Sequence, residues 1–317
     1  MAVTLGSGEF TYEVVLDWAK LPEGWKFIDV CGINVDSKDN VYVFNRGPHP
    51  MMVFDRNGNM LRSWGEGVFS RPHGVTPGPD GTIWCADDGD HTVRQCTPEG
   101  VVLRTIGTPG KPTPYMSGQP FNRPTQVAFS PLGEIYVSDG YGNARVHKYS
   151  PDGKLMFSWG APGIGPGEFN IAHAICTDKE GTVYVADRES HRVQIFDGKG
   201  KYLGQWNYVH RPCGLYLHLK GPRPLAFVGE LGPSMPVNIN MPNIGPRVSV
   251  LDMKGKVLAR LGEKLLGEAA DQFVAPHAIA VDSRGDIYVG EVAWTFWGRS
   301  QNPPKEPRTL RKLVKKG

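Results

Sequence analysis

Three of the nine histidines in this 317-residue chain stand at the same point of a recurring sequence phrase. His73, His173 and His277 each follow a proline or an alanine and open an apolar run that leads into a turn. Three neutral imidazoles that meet at one point and leave an open position form the ligand set of a catalytic zinc ion, or of another divalent transition metal. The alternative is that each is an ordinary core side chain. The elements that carry the histidines decide between these interpretations.

The phrase occurs six times along the chain. It begins with a short apolar stretch, continues through an Asp- or Gly-rich turn, and ends in a strand such as Ile83–Asp87 that closes on an acid or an amide. Two more strand-like runs follow each phrase, so each unit is predicted to be a four-stranded antiparallel meander. The 40 glycines and 27 prolines, about a fifth of the chain, supply the turns.

Four-stranded units of roughly 40 to 64 residues are typical of propeller blades. We therefore predict an all-β fold, a six-bladed β-propeller that forms a single domain over residues 1–317. The last unit ends one strand short, whereas residues 11–18 precede the first unit and have the pattern of a fourth strand. We expect this N-terminal strand to complete the last blade, which removes a free sheet edge. The predicted blades begin near residues 31, 73, 125, 173, 213 and 277.

This alignment places the three histidines in the second, fourth and sixth blades. Alternate blades of a six-bladed ring are about 120° apart, so the imidazoles are expected to converge from three sides on one metal. Cys31, Thr125 and Cys213 hold the same place in the other blades. The two cysteines are either additional soft ligands or structural thiols.

Residues directly after the second strand of each blade should open on the same rim as the histidines. Acids recur there and are best explained as caps of hairpin N–H groups. Arg46, Tyr141 and Arg188 depart from the recurrence, which makes them better functional candidates. Arginines bind carboxylates through bidentate hydrogen bonds, and a phenol beside a metal is a candidate general base. The competing interpretation makes Arg188 a surface ion pair and Tyr141 a packed aromatic.

Several segments together resemble one family closely, the peptidyl-α-hydroxyglycine α-amidating lyases, which are six-bladed propellers of NHL repeats. The resemblance implies that His73, His173 and His277 hold zinc, that Tyr141 acts as the base, and that Arg46 and Arg188 position the substrate. It also implies cleavage of an N-acyl α-hydroxyglycine to an amide and glyoxylate. The matching segments are Phe44–Gly47, Pro72–Gly74, Pro124–Thr125, Ser138–Arg145, Gly167–His173, Ala186–Glu189 and Pro276–His277.

The chain departs from this family at two positions. The resemblance implies a calcium ion bound by the backbone of Ile33 and Val75 and by an Asp after the last histidine, but that residue is Ala278. A hard cation without its charged ligand is not expected to bind. Gly142 stands where secreted members have a disulfide cysteine, which agrees with a cytoplasmic location. The Met1–Gly6 segment has no signal-peptide pattern.

Two long loops are predicted to cover the metal rim and form an apolar pocket. Residues 231–247 carry Met235 and Met241, and residues 293–308 carry Trp294, Phe296 and Trp297. Such a roof favours a small or aromatic carbinolamide over a peptide end as the substrate. The alternative is that each loop packs onto its own blade.

Composition excludes several function classes. The net charge is +3 and the only basic cluster is the C-terminal tail, so nucleic acid is not an expected partner. No apolar run approaches the roughly 18 residues of a membrane span.

From the histidines, the rim residues and the resemblance, we predict a metal-dependent carbon–nitrogen lyase. It is expected to act on an α-hydroxyglycine-type amide or a related small-molecule carbinolamide and to release an amide plus glyoxylate or another aldehyde or 2-oxo acid. The alternatives are a lactonase-like hydrolase and a non-catalytic NHL propeller that binds a protein. The substrate side chain, the cellular metal and the oligomeric state stay open.

Overall fold

A computed structural model describes residues 2–221, 223–262 and 264–317. The regular secondary structure of the described residues is almost entirely β-strand, arranged in six separate antiparallel sheets. This confirms the predicted six-bladed β-propeller, with each sheet as one blade. The chain divides into two compact units, one formed by residues 65–208 and the other by the described residues before and after them. The single-domain organisation stays a prediction.

The first unit begins at the N-terminus with two short strands and then blade 1. The strands are β1 (Thr4–Leu5), β2 (Tyr12–Val15) and, in blade 1, β3 (Val30–Val35), β4 (Val41–Asn45), β5 (Met51–Phe54) and β6 (Met60–Trp64).

The second unit holds three four-stranded blades in chain order. Blade 2 comprises β7 (Pro72–Pro77), β8 (Ile83–Asp87), β9 (Thr92–Cys96) and β10 (Val102–Ile106). Blade 3 comprises β11 (Gln126–Phe129), β12 (Ile135–Asp139), β13 (Arg145–Tyr149) and β14 (Leu155–Trp159). Blade 4 comprises β15 (Ala172–Thr177), β16 (Val183–Asp187), β17 (Arg192–Phe196) and β18 (Tyr202–Trp206), with a 3-10 turn at Arg188–Ser190.

The first unit resumes with blades 5 and 6. Blade 5 comprises β19 (Pro212–His218), β20 (Leu225–Glu230), β21 (Arg247–Asp252) and β22 (Val257–Leu261). Blade 6 contains β23 (Pro276–Val281), β24 (Ile287–Glu291) and β25 (Leu310–Lys315). Between its last two strands lie a four-residue helix, α1 (Ala293–Phe296), and a 3-10 turn at Gly298–Ser300. Another 3-10 turn covers Gly8–Phe10. Within the described ranges no helix is long and apolar enough to cross a membrane.

The N-terminal strand completes blade 6, as predicted. β2 pairs antiparallel with β25, with Tyr12 opposite Lys315 and Val14 opposite Leu313. The paired strand is shorter than the predicted residues 11–18, because Trp18 leaves the ladder and packs against Phe54 and Tyr288. β1 adds a fifth strand to this sheet, which the repeat pattern did not predict.

Inner strands begin with a β-bulge in five of the six blades. In blade 2, Pro72 pairs with Asp87, but the register shifts before Val75 pairs with Cys85, so His73 lies inside the irregularity. The equivalent shifts enclose His173, His277, Cys31 and Cys213. A bulge turns a side chain away from the regular alternation of a strand. The repeat therefore presents one side chain per bulge at the start of the inner strand.

The recurring acids serve as caps, as predicted. The buried Asp87 carboxylate accepts hydrogen bonds from the backbone N–H groups of Ser70 and Arg71, at 2.6 and 2.9 Å. Glu291 accepts in the same way from Val274 and Ala275, at 2.7 and 2.9 Å. These N–H groups precede the inner strand and lack ladder partners, so the carboxylates satisfy them. The acids thus fix where each inner strand, and its first side chain, begins.

Candidate metal centre

Two of the predicted metal ligands are oriented by backbone carbonyls. In the unit of residues 65–208, Nδ1 of the buried His73 lies 2.7 Å from the carbonyl oxygen of Thr125. In the other unit, Nδ1 of the buried His277 lies 2.7 Å from the carbonyl oxygen of Cys31. A carbonyl accepts only, so each Nδ1 carries the hydrogen and each Nε2 presents a lone pair. This is the second-layer support that metal-binding histidines ordinarily have.

The structure brings the three predicted histidines together. One ring nitrogen from each of His73, His173 and His277 lies within 4.8 Å of the others, and all three residues are buried. Among the residues that the structure describes, they form the only group of three or more His, Cys, Asp or Glu side chains able to hold a metal. Three imidazole nitrogens without a carboxylate suit zinc or a similar transition metal better than calcium or magnesium.

Tyr141 places its phenol oxygen directly against two of these rings. The oxygen lies 3.0 Å from Nε2 of His73 and 3.1 Å from Nε2 of His173. Since Nε2 of His73 is a lone-pair acceptor, the phenol can donate its hydrogen there. Tyr141 follows Asp139 and Gly140, and Gly140 has no room for a side chain, because a Cβ there would lie 2.0 Å from the carbonyl oxygen of Ala172. The backbone of this turn is therefore closely packed, and it places Tyr141 next to the histidines.

Arg188 belongs to the same cluster. Its Nη1 donates a hydrogen bond to the Tyr141 oxygen at 3.3 Å, and its Cζ lies 5.4 Å from the centre of the Tyr141 ring. Its Nε lies 2.8 Å from a carboxylate oxygen of Glu189. The guanidinium is thus held at the phenol by an acid on its far side. Two predicted functional residues, Tyr141 and Arg188, are thus in direct contact with each other, and Tyr141 also contacts two of the predicted ligands.

Arg46 lies in the other unit, with its side chain 10 % exposed. Its Nη1 is 3.9 Å from a carboxylate oxygen of Asp29, and its backbone N–H donates to the Asp29 carbonyl at 2.9 Å. Asp29 also accepts hydrogen bonds from the backbone N–H and the hydroxyl of Thr295. Burial raises the pKa of the Asp29 carboxyl, against the opposing effects of Thr295 and Arg46. Asp29 therefore connects Arg46 to helix α1 in the 293–308 loop.

The aromatic residues of that loop pack against the inner ends of blades 5 and 6. Phe296 and Trp297 contact a buried apolar cluster, and the Arg211 guanidinium lies 5.5 Å from the Phe296 ring centre. The cluster comprises Cys31, Cys213, Leu231, Val274, Ala275, Val292 and Ala293. The thiol of Cys31 donates to the Phe44 carbonyl at 3.2 Å. These contacts support a structural role for both cysteines, neither of which joins the histidine group.

The two loops predicted to cover the metal rim differ in how far their side chains are buried. Met235 and Met241, in the 231–247 loop, are 57 % and 51 % exposed. Phe296 and Trp297 instead pack on a cluster that includes Cys31 of blade 1 and Cys213 of blade 5, so this loop contacts more than its own blade. A substrate pocket formed by these four residues and Trp294 stays a prediction. At the predicted calcium position, Ile33 and Val75 are buried in the inner strands of blades 1 and 2, and Ala278 offers no carboxylate.

Sequence reasoning missed a further set of charged residues near Tyr141. Arg123 places its Cζ 4.8 Å from the Tyr141 ring centre and donates to Asp88 at 2.8 Å. Arg71 donates to the same carboxylate. Two signals were available in the sequence. Arg-Pro precedes the inner-strand residue in blades 2, 3 and 5, and Asp88 occupies the rim position that is Arg46 or Arg188 in other blades.

The NHL repeat family model matches residues 121–149 and 169–196. NHL repeat-containing protein 3 of Homo sapiens is 31 % identical, over 92 % of this chain and 84 % of that protein. Peptidyl-alpha-hydroxyglycine alpha-amidating lyase 1 of Drosophila melanogaster is 33 % identical, over 74 % of this chain and 45 % of that protein. The solved structure of a streptogramin B lyase matches with a TM-score of 0.58, covering 92 % of this chain and 96 % of that one at 11 % identity, a likeness of fold.

Proposed function

This chain belongs to the NHL-repeat family of propellers similar to peptidyl-α-hydroxyglycine α-amidating lyases, and on that premise we propose that it is a metal-dependent carbon–nitrogen lyase. Its proposed substrate is an N-acyl α-hydroxyglycine or a related small carbinolamide. The contact of Tyr141 with both His73 and His173 is the observation that carries the proposal. It combines a proton acceptor and metal ligands in one cluster, which an interaction scaffold does not need.

The histidines fit a metal, and the surrounding residues fit the rest of the chemistry. His73, His173 and His277 would hold the ion, which would act as a Lewis acid on the substrate's hydroxyl oxygen. Zinc is the metal we propose, because the donor set consists of three imidazoles. Arg188, and Arg46 by its predicted role, would bind the α-carboxylate through charge-assisted hydrogen bonds.

The reaction balances without water or a redox partner. The phenolate of Tyr141 takes the proton of the α-hydroxyl group, and the C–O bond becomes the C=O bond of glyoxylate. The C–N bond breaks at the same carbon, and its electron pair goes to the amide nitrogen. That nitrogen receives the proton back from Tyr141, so the products are one amide and one glyoxylate. Arg188, bonded to the phenol oxygen at 3.3 Å, stabilises its deprotonated form through its positive charge.

The proposal is tested by loading the purified protein with zinc and assaying glyoxylate release from N-benzoyl-α-hydroxyglycine. We expect stoichiometric zinc and turnover in the unaltered protein, and the loss of both in His173→Ala. His147→Ala is the matched control, because His147 is a buried histidine of blade 3 bonded to Asp139 and Ser158 and outside the metal group. Zinc retention in this control, with loss in His173→Ala, assigns the site. A protein that binds no transition metal contradicts the proposal.

Two other functions are the alternatives, and the glyoxylate assay separates the non-catalytic one from a lyase. NHL repeat-containing protein 3, which this chain resembles over most of both lengths, carries no activity in its name, so a non-catalytic propeller that binds a protein is the alternative. That alternative predicts that the protein shows no turnover and that its binding of a partner is unchanged in His173→Ala.

A lactonase-like hydrolase would need a metal-activated water, and the described residues form no carboxylate-rich cation group. We also propose a cytoplasmic location, because the sequence has five cysteines, an odd number without the spacing of a disulfide framework.

A further inference from the structure

Two arginines, Arg71 and Arg123, share one buried carboxylate oxygen, and Arg123 lies over the ring of Tyr141. Oδ2 of Asp88 accepts hydrogen bonds from Nη2 of Arg123, at 2.8 Å, and from Nη1 of Arg71. The Asp88 side chain is completely buried. Because one oxygen bonds both groups, the two guanidiniums are held side by side. Together, Arg71, Arg123 and Asp88 carry one net positive charge.

Both guanidiniums nevertheless remain open to a ligand. The side chains of Arg71 and Arg123 are 35 % and 40 % exposed, whereas that of Asp88 is 0 % exposed. A guanidinium has five N–H donors, so each can bond Asp88 and still offer hydrogen bonds to an anion. Their orientation is already fixed by Asp88, which lowers the entropy cost of ordering two long side chains on binding.

The repeat itself does not require this arrangement. Arg211 occupies the equivalent Arg-Pro step of blade 5, but it is only 8 % exposed. Its Nη1 donates to the Gly232 carbonyl at 3.1 Å and its guanidinium packs over Phe296. The fold thus uses this position for a buried structural contact in one blade. In blades 2 and 3 the equivalent residues, Arg71 and Arg123, are partly exposed and both bond Asp88. This arrangement is better explained by ligand binding than by a structural role in the fold.

The arginine pair lies one aromatic ring from the histidines. Cζ of Arg123 is 4.8 Å from the centre of the Tyr141 ring, and the oxygen of that ring is 3.0 Å from Nε2 of His73. The other guanidinium over this ring, that of Arg188, is already paired with Glu189 at 2.8 Å. An anion bound by the pair would therefore lie beyond Tyr141, separate from the groups proposed to bind the α-carboxylate.

We propose that Arg71 and Arg123 form a second anion subsite, which binds a carboxylate on the acyl group of the substrate. The substrate is then a small α-hydroxy amide with two carboxylates, one on the α-carbon and one at the far end of the acyl chain. Two fixed guanidiniums suit a carboxylate because they donate several charge-assisted hydrogen bonds to its two oxygens. The proposal rests on the proposed lyase function for the reacting end of the substrate.

A pair of matched substrates tests the subsite by activity. N-succinyl-α-hydroxyglycine carries the second carboxylate, and its terminal amide has the same length without the charge. In the zinc-loaded protein we expect kcat/KM for the acid to exceed that for the amide by about tenfold or more. In Arg123→Gln the ratio should fall to about threefold or less. The ratio is the readout because Arg123 also contacts Tyr141, so its loss can slow both substrates.

Arg104→Gln is the matched control, since it removes a guanidinium from the outer strand of blade 2, where Arg104 bonds the Pro151 carbonyl. The control should keep the wild-type ratio. Circular dichroism checks that each variant is folded. Equal kcat/KM for the acid and the amide in the wild-type protein overturns the subsite, as does a ratio that survives Arg123→Gln.

A binding measurement separates failure of the subsite from failure of the lyase proposal. Titration calorimetry of metal-free protein with succinamate, against butanamide as the uncharged probe, needs no turnover. We expect succinamate to bind and Arg123→Gln to weaken its binding about tenfold. If succinamate binds in this way but no substrate yields glyoxylate, the lyase proposal fails and the anion site stands. If glyoxylate forms but succinamate binds no better than butanamide, the subsite is wrong.

Discussion

At the scale of single residues, the candidate site depends on which ring nitrogens carry hydrogen. The Thr125 carbonyl fixes the tautomer of His73, and the Cys31 carbonyl fixes that of His277. These carbonyls belong to residues at the same repeat position in the neighbouring blade of the same unit. A chain that repeats its inner-strand geometry therefore supplies both the imidazole and its orienting acceptor.

Replacing Tyr141 should separate catalysis from metal binding. Tyr141→Phe removes the phenol oxygen that lies 3.0 Å from His73 but leaves the three imidazoles and the ring contacts of Arg123 and Arg188. We expect zinc content to stay at one per chain and kcat to fall about 10²-fold or more, the usual contribution of a positioned general base. Elemental analysis and glyoxylate release measure the two quantities. A Phe variant of full activity would remove Tyr141 from the mechanism.

Because of His218, the stability of the folded protein should depend on pH in the mildly acidic range. Burial, helped by Lys315 and Lys220, lowers the pKa of His218 below its usual value. The unfolded chain therefore binds this proton at a higher pH than the folded chain does, and the free energy of unfolding falls as pH drops through about 6.5. In His218→Gln this part of the fall should disappear. Urea unfolding at pH 7.5 and 5.5 measures it, and an equal fall in both proteins contradicts the assignment.

At the scale of elements, the bulge at the start of the inner strand is the device that presents a functional side chain. Sequence alignment of the repeats could predict which residues share that position, because the strand and turn pattern sets the register. It could not predict the bulge, which arises from unequal pairing across two strands. Nor could it predict that Asp88 would hold Arg71 and Arg123, since these residues come from different loops.

The N-terminal strand should contribute substantially to stability. Tyr12 is 2 % exposed and belongs to the core cluster of blades 5 and 6, whereas the adjacent Glu13 is part-exposed and pairs with Lys316. Tyr12→Ala should lower the free energy of unfolding by about 3–5 kcal/mol. Glu13→Ala, on the same strand, should cost less than about 1 kcal/mol. Chemical denaturation of both variants tests this, and equal effects would mean that the strand is not docked as described.

At the scale of the whole molecule, the fold could be predicted from the sequence, but the positions of the long loops around the candidate site could not. Six aligned phrases and the unmatched strand at each chain end suffice to predict six blades and the pairing of β2 with β25. The three histidines were predictable as a group because they share one repeat position. The positions of the 231–247 and 293–308 loops were not, because loop packing depends on contacts such as that of Arg211 with Phe296.

A bound metal should stabilise the folded protein as a whole. Ligands that bind only the folded state add stability by mass action, about 2.7 kcal/mol at a free concentration 100 times Kd. We therefore expect a higher Tm with zinc than with a chelator, and no such difference in His277→Ala. Thermal unfolding followed by circular dichroism measures both. A Tm that is the same with zinc and with chelator would contradict a metal site at these histidines.

The identity of the products is the most direct test of the account. With N-benzoyl-α-hydroxyglycine, a lyase that breaks the C–N bond without water yields benzamide and glyoxylate in equal amounts. Cleavage of the acyl bond by metal-activated water would instead yield benzoate. We predict benzamide and glyoxylate at a ratio of one to one from the zinc-loaded protein, well above the background of the Tyr141→Phe variant. Benzoate as the product, or no product above that background, would contradict the proposed function.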